Sequence, residues 1–265
     1  MDTQQQKSFK ILLIGDRCTD KYHFGECTRL SPEAPVPVFK LIRTEIRSGM
    51  VLNVKKNMDA FNVDVRVITN GGNNITKERF IDEASGQQLL RLDTGENELL
   101  KSLDIKNIDV EGYDCVAISD YDKGFLSYTN CLKISSLCKK YNKPFFVDSK
   151  KKDLSCFDGA IIKINEKEMK EAKRYPAEYD LIITLGARGA RYGGLIVPTI
   201  QTKVFDVCGA GDTFFAALIT EYLNTENILS SIIFANRCAA VTVKKIGTGP
   251  VTRKEVKEIK NGIRD

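Results

Sequence analysis

A single histidine, seven prolines and no CxxC pair among eight cysteines are the most informative shortages of this 265-residue sequence. With His23 alone, mechanisms built on a histidine pair, a Ser-His-Asp triad or histidine-rich metal ligation are excluded or strained. The cysteines at 18, 27, 115, 131, 138, 156, 208 and 238 fall partly inside apolar stretches. They read as small buried hydrophobes in a reducing compartment, not as ligands or disulfides. Long apolar runs are also missing: residues 11–14 and 214–219 fall far short of the roughly 20 residues a bilayer span requires. The opening MDTQQQKSFK lacks the basic region, apolar stretch and cleavage site of a secretory leader, so a cytoplasmic protein with no membrane role is expected. Neither a GxGxxG turn after the first strand nor a GxxxxGK[ST] loop occurs, which disfavours dinucleotide oxidoreductases and Walker-type nucleotidases.

What is present is ordinary globular material. The hydrophobic set makes up 42% and charged residues 28%, enough to bury a full core and too apolar for disorder as the main state. A formal net charge of +5 can attract an anionic small molecule without indicating nucleic-acid binding. Residues 9–14 form an apolar run closed by Gly15-Asp16, which predicts a buried strand opening into a loop. Residues 38–43 alternate, as do parts of 75–92, and both predict exposed antiparallel strands. From about residue 100 the pattern becomes strand, helix, strand. Strands are expected at 115–120, 144–148, 159–164 and 181–185, with a helix over 128–141, and this alternation argues for a parallel sheet wrapped by helices. Asp148, Asn165 and Gly186 fall at strand C-termini, where open α/β sheets gather ligands. Residues 139–152 carry six lysines, a solvated face beside a sheet edge or a phosphate-facing one. Residues 252–265 predict a last charged surface helix.

The sharpest motif is DVCGAGDTFFAALI, residues 206–219. A Gly-Ala-Gly turn lets backbone approach a ligand closely, and the apolar run behind it predicts a buried helix whose free N–H groups face that ligand. Such a helix start attracts anions. A carboxylate in its first turn, Asp212, is placed to take a proton from a hydroxyl attacking a phosphoryl group; a plain helix cap before a core helix is the structural alternative.

The whole motif resembles the second signature of the ribokinase/phosphofructokinase-B sugar kinases. The resemblance implies a ribokinase-like α/β/α sandwich with a central, mostly parallel sheet, as a single domain over 1–265 with lid strands near 22–48 and 75–93. It implies that Gly209, Ala210 and Gly211 form the anion hole and that Asp212 is the base. Further segments resemble the D-glycero-D-manno-heptose 7-phosphate kinases: GDxxxDxYxxG from Gly15, RLSPEAPVPV from Arg29, ITKxR from Ile75, QQLLRLD from Gln87, SDYxKG from Ser119, FAN from Phe234 and KxGT from Lys245. They occur in the same order, so the similarity spans about residues 9–257. It ends where bifunctional members continue into a nucleotidyltransferase domain.

The same resemblance supplies the expected ligands, ATP, Mg²⁺ and a sugar phosphate, and a homodimer formed through the lid. Asp16, Asp20, Gly49, Asn53, Arg91, Asp120 and Lys123 are implied on the sugar side. Asp16 and Asp20 could accept from adjacent hydroxyls or serve as turn residues, Asn53 is otherwise a surface helix residue, and Lys77, Arg79, Arg91 and Lys123 remain unranked as holders of a substrate phosphate. On the nucleotide side stand Asn165, Glu168, Thr184, Gly186, Gly189, Asn236 and Gly247, with Glu168 holding Mg²⁺ through water.

Two departures from the resemblance touch the sugar half. Met50 follows Gly49 where the family has a Gly-Gly pair, and only residues 70–74 bridge the run 65–69 to Ile75, where another helix and strand are usual. The expected activity is ATP-dependent phosphorylation of the heptose 7-phosphate at O1, giving the 1,7-bisphosphate for ADP-heptose synthesis. The rivals are a kinase for another sugar and a catalytically weak sugar- or nucleotide-binding protein.

Overall fold

The computed structural model describes residues 8–71, 75–96, 100–245 and 249–262. In chain order the strands are β1 Phe9–Gly15, β2 Arg17–Glu26, β3 Lys40–Met50, β4 Val63–Thr69, β5 Thr76–Asp82, β6 Gln88–Thr94, β7 Cys115–Asp120, β8 Phe145–Ser149, β9 Ala160–Asn165, β10 Tyr179–Thr184, β11 Ala190–Tyr192 and β12 Leu195–Val197. The helices are α1 Val51–Met58, α2 Tyr128–Lys140, α3 Glu166–Glu171, α4 Ala210–Thr225, α5 Ile228–Thr242 and α6 Arg253–Lys260. The described residues gather into two compact units, a larger one of 8–16, 50–70, 101–245 and 249–262 and a smaller one of 17–49, 71, 75–96 and 100.

The larger unit is built on an eight-stranded sheet in the order β12-β11-β10-β9-β8-β7-β1-β4. From β10 to β4 the pairings are parallel, and only β11 and β12 run antiparallel. Parallel strands with covered faces read as continuous apolar runs, and Ile11, Leu12, Leu13 and Ile14 of β1 and residues 115–118 of β7 are all buried to within 1%. Helix α4 enters this core with Phe214, Phe215, Ala216, Ala217, Leu218 and Ile219 all at or below 2% exposure, so its middle turns are apolar on every face, as a buried stretch of helix should be. Every strand and helix expected from residue 100 to 185 is found within two residues of its expected ends.

The smaller unit is a four-stranded sheet, β3-β2-β5-β6. Here the antiparallel expectation is corrected in part: β5 and β6 pair antiparallel, but β2 and β5 pair in parallel, Thr19 opposite Thr76 through Gly25 opposite Asp82. β2 begins at Arg17, directly after Asp16, where a loop is expected, and so starts ahead of the lid strands expected from about residue 22. Its buried positions alternate through Cys18, Asp20 and Tyr22, and the acidic one meets Arg79 Nη1 at 2.6 Å. A lone charge at an inward position masks a strand pattern that its ion pair makes tolerable.

The lysine-rich stretch is not beside a sheet edge. It runs from α2 into β8, which lies between β7 and β9 in the sheet interior. Lys139 pairs on the surface with Asp158 and Glu178, whereas Lys151 is 10% exposed and pairs with Asp120 and Asp122. Six of the eight cysteines are buried and all eight are free thiols. No described helix is long and apolar enough to cross a membrane.

Candidate active site

The site lies at the C-terminal ends of the larger unit's parallel strands, where the crevice of an open α/β sheet opens. Gly209 precedes α4 with φ 79°, a left-handed conformation that glycine adopts without strain, and it turns the chain so that α4 begins at Ala210. Asp212 therefore sits in the first helical turn, 8% exposed. Its Oδ2 accepts from Asn53 Nδ2 at 2.5 Å and its Oδ1 from the Tyr121 hydroxyl at 3.2 Å. Burial pushes the Asp212 carboxyl up to about 6, with the Asp148 charge adding to it, while the Asn53 bond and the Lys163 charge act the other way. A carboxyl half-protonated near pH 6 is ionised at neutral pH and still basic enough to accept a hydroxyl proton.

Behind these groups runs a buried polar chain. Asn57 Nδ2 donates to the Asn53 carbonyl at 2.8 Å, Thr213 Oγ1 donates to Asn57 Oδ1 at 2.6 Å, and Thr242 Oγ1 donates to Thr213 Oγ1 at 3.1 Å. Helices α1, α4 and α5 are thereby fixed by satisfied bonds, which hold Asn53 against Asp212. Asn53 is 3% exposed, so the surface-helix alternative for it fails.

Asp16 follows β1 and is fully buried; its Oδ2 accepts from the Tyr121 amide at 2.7 Å, while Oδ1 has no protein partner. Burial and then the Asp120 charge push its carboxyl up to about 6. Asp120, at the end of β7, takes Ser149 Oγ at 2.7 Å and Lys151 Nζ at 3.3 Å. Its own carboxyl is raised by burial, against the pull of Lys151. Lys123 follows in the loop after β7. Met50, at the N-terminus of α1, has φ 57° and ψ −129°, a conformation glycine favours, so its side chain costs about 1–3 kcal/mol of backbone strain.

Two openings meet at this end of the sheet. A pocket of about 150 Å³ is lined by Asp120, Tyr121, Asp148, Lys163, Glu168, Gly209, Gly211 and Asp212, among others. A cleft of about 380 Å³ is lined by Asn165, Thr184, Gly186, Gly189, Gly211, Asn236, Ala239 and Val243, among others. Lys163, Asn165 and Gly211 line both. Of the residues expected on the nucleotide side, Asn165, Thr184, Gly186, Gly189 and Asn236 line the cleft, and Glu168 lines the pocket. Asn165 and Glu168 form a reciprocal capping box on α3, the side chain of each taking the other's amide at 2.9 and 2.8 Å. Asn236 spends its amide on the Val197 and Pro198 carbonyls, bracing the cleft wall. Gly247 lies outside the described residues.

The remaining sugar-side candidates belong to the smaller unit. Asp20 pairs with Arg79, and a Cβ on Gly49 would lie 2.1 Å from Asp20 Oδ2, so the absent side chain is what lets that carboxylate approach. Arg91, on β6, makes two 2.7 Å bonds to Asp93 at the surface. Sequence reasoning missed Lys163 and Tyr121 as site members. The signal for Lys163 was a lone cation in the apolar run GAIIKIN, and for Tyr121 an aromatic hydroxyl directly after the strand-end Asp120.

Residues 53–255 match the family described as pfkB family carbohydrate kinase. The chain belongs to that family. Its members are sugar kinases, phosphotransferases with an alcohol acceptor, and the pfkB assignment covers Asn53, the Asn165/Glu168 box and the Asp212 turn alike. The chain is 32% identical over 307 residues to the bifunctional protein HldE of Nitratiruptor sp. and 33% identical over 306 residues to that of Campylobacter jejuni, with 96% and 97% of this chain covered. It spans 66% of the length of both relatives. Among solved structures it is similar to phosphofructokinase-2 from Escherichia coli in complex with potassium, at TM-score 0.73, 14% identity and coverage of 97% of this chain and 100% of that one. It is likewise similar to Arabidopsis thaliana ribokinase complexed with ribose and ATP, at TM-score 0.68 and 14% identity, covering 96% and 99%. These likenesses make the fold of this pfkB chain ribokinase-like.

Proposed function

We propose that this chain transfers the terminal phosphoryl group of ATP to the anomeric hydroxyl of D-glycero-D-manno-heptose 7-phosphate, giving the 1,7-bisphosphate that feeds ADP-heptose synthesis in the cytoplasm. The observation that carries the reading is Asp212: a buried carboxylate, raised to about 6, in the first turn of a helix that starts at a glycine turn. The heptose specificity rests on the HldE relatives at 32–33% identity.

In this reading the sugar hydroxyl loses its proton to Asp212 as its oxygen bonds to phosphorus, and the bond to the ADP oxygen breaks. The Gly209–Gly211 amides face the phosphoryl oxygens, where charge spreads in the transition state. Asn53 and Tyr121 fix the carboxylate that receives the proton. Asp16, with an unspent buried oxygen, and Asp120 are assigned to sugar hydroxyls. The cleft that Asn236 braces takes the nucleotide.

The donor set suits magnesium held mainly by phosphate oxygens and water: Asp148, Asn165 and Glu168 supply oxygens, and the described residues hold no group of three His, Cys, Asp or Glu side chains able to cage an ion. Glu168 would hold it through water; when bound, the ion neutralises polyphosphate charge.

Purified protein with Mg-ATP is expected to release ADP with heptose 7-phosphate and not with fructose 6-phosphate, ribose, fructose or adenosine. Turnover on another of these would keep the mechanism and replace the substrate. Sugar or ATP binding without turnover on any would make the chain a binding protein.

A homodimer through the smaller unit belongs to the same reading. Leu41, Ile42 and Ile46 of β3 and Leu90 and Leu92 of β6 are 46–69% exposed, an apolar display that a second copy of the chain would cover. Light scattering at micromolar concentration should give twice the chain mass, and a monomer throughout would refute the dimer.

A further inference from the structure

A further opening lies at the other end of the larger unit, and the reaction does not use it. β4 begins at Val63, level with Phe9 at the start of β1, whereas the active site gathers beyond Gly15 at the end of β1. Beside Val63 is a pocket of about 350 Å³ with an apolar wall of Phe61, Val63 and Val256. Its charged lining is all positive. Arg253, Lys257 and Lys260 stand at i, i+4 and i+7 on one stripe of α6, and among the described residues no acidic side chain lines the pocket. Lys260 is neutralised by Glu221 Oε2 at 2.9 Å. Lys257 has no ion pair or side-chain hydrogen bond among the described residues, and Arg253 has one long bond, from Nε to the Asp59 carbonyl at 3.4 Å. The helix dipole favours the two lysines, which lie in the last turn of α6, but opposes Arg253, its first residue. Arg253 and Lys257 also repel each other across one turn. Both side chains are exposed, so packing does not hold them there.

We propose that this pocket binds a phosphate monoester of small-molecule size, with the phosphate between Arg253 and Lys257 and the carbon portion against the apolar wall. Guanidinium and ammonium donors together match the oxygens of a dianionic phosphate, and an anion seated there offsets both the repulsion and the opposed charge at the start of α6. The volume stands near the low end of the roughly 300–1,000 Å³ of small-molecule sites, enough for a sugar phosphate. No bond is made or broken. The binding is independent of the heptose reading, because no residue of this pocket lines either opening beside Asp212.

Calorimetric titration of the whole chain tests this, with the nucleotide cleft first filled by Mg²⁺ and a non-hydrolysable ATP analogue. The probes are glucose 6-phosphate, fructose 6-phosphate and AMP, with glucose and inorganic phosphate as controls. At least one monoester should bind, more tightly than inorganic phosphate, and glucose should not. Arg253→Gln and Lys257→Gln should each weaken that monoester at least about tenfold and leave the affinity for the ATP analogue within about twofold. Lys257→Arg, which keeps the charge, should retain most of the affinity. Both glutamine variants replace exposed side chains and should melt within about 2 °C of wild type in phosphate-free buffer, so that a lost signal is not a lost fold. No response to any of the three monoesters, or a response unchanged in either glutamine variant, would overturn the proposal. Inorganic phosphate binding as tightly as the best monoester would overturn it too, leaving an ion site only.

Discussion

Asp212→Asn is expected to lower kcat by about 10³–10⁴-fold while leaving the affinity for ATP within about twofold. The substitution keeps size and leaves one amide oxygen for Asn53 to donate to, while the new NH2 can donate to the Tyr121 hydroxyl oxygen, so the polar chain through Asn57, Thr213 and Thr242 stays intact. What is lost is the only group at the start of α4 able to accept the hydroxyl proton. The pH dependence checks the assignment. Since the active form is the carboxylate and burial raises Asp212 to about 6, kcat should fall as the pH drops through that value. Tyr121→Phe removes a donor that favours the carboxylate, so the acid limb should move to higher pH. A limb that stays in place in the Phe variant, or an Asp212→Asn enzyme with a tenth of wild-type kcat, would remove Asp212 from the base role.

Gly15→Ala should have the largest effect on stability. Gly15 ends β1 in the sheet interior, paired with Thr69 of β4 and Ser119 of β7. A methyl group there would lie 1.9 Å from the Ser119 carbonyl oxygen, which is backbone within the same sheet and has no rotamer to escape into. Either β1 and β7 separate, breaking the ladder beside Asp16 and Asp120, or the strand end unravels. A loss of about 3 kcal/mol or more is expected, a fall of about 6–12 °C in Tm for a chain of this size. Thermal melts followed by circular dichroism measure it, and a variant within 2 °C of wild type, on the order of 1 kcal/mol, would show that the strand ends have more room than the structure gives them.

The elements that could be read from sequence are those whose signal is local. β1, β7, β8 and β9 lie in the sheet interior and are largely apolar, and the turn before α4 announces itself by its glycines. What escaped depends on partners far along the chain. The parallel pairing of β2 with β5 joins Thr19 to Thr76, and nothing within either segment records its direction. Asp20 looked like a turn residue because Arg79, which satisfies it, is 59 positions away. Lys163 looked out of place in an apolar strand until β8 and β9 came into register and set Asp148 beside it. Met50 was legible as a departure, but its strain became visible only in φ and ψ, because backbone conformation depends on how α1 is entered.

One edge of the eight-stranded sheet has a bearing on how molecules of this protein tolerate one another. β4 ends at Thr69, β5 begins at Thr76, and among the described residues β4 has β1 alone as a strand neighbour. Val63, Val65 and Val67 turn toward the core, while Asp64 and Arg66 alternate with them in solvent. An open edge of this composition is a template for a strand from another molecule. Two charges of opposite sign on the outward face are its local guard, and an incoming strand must strip water from both before a ladder can form. Colloidal stability at high concentration therefore rests at this edge on Asp64 and Arg66, two side chains far from any chemistry.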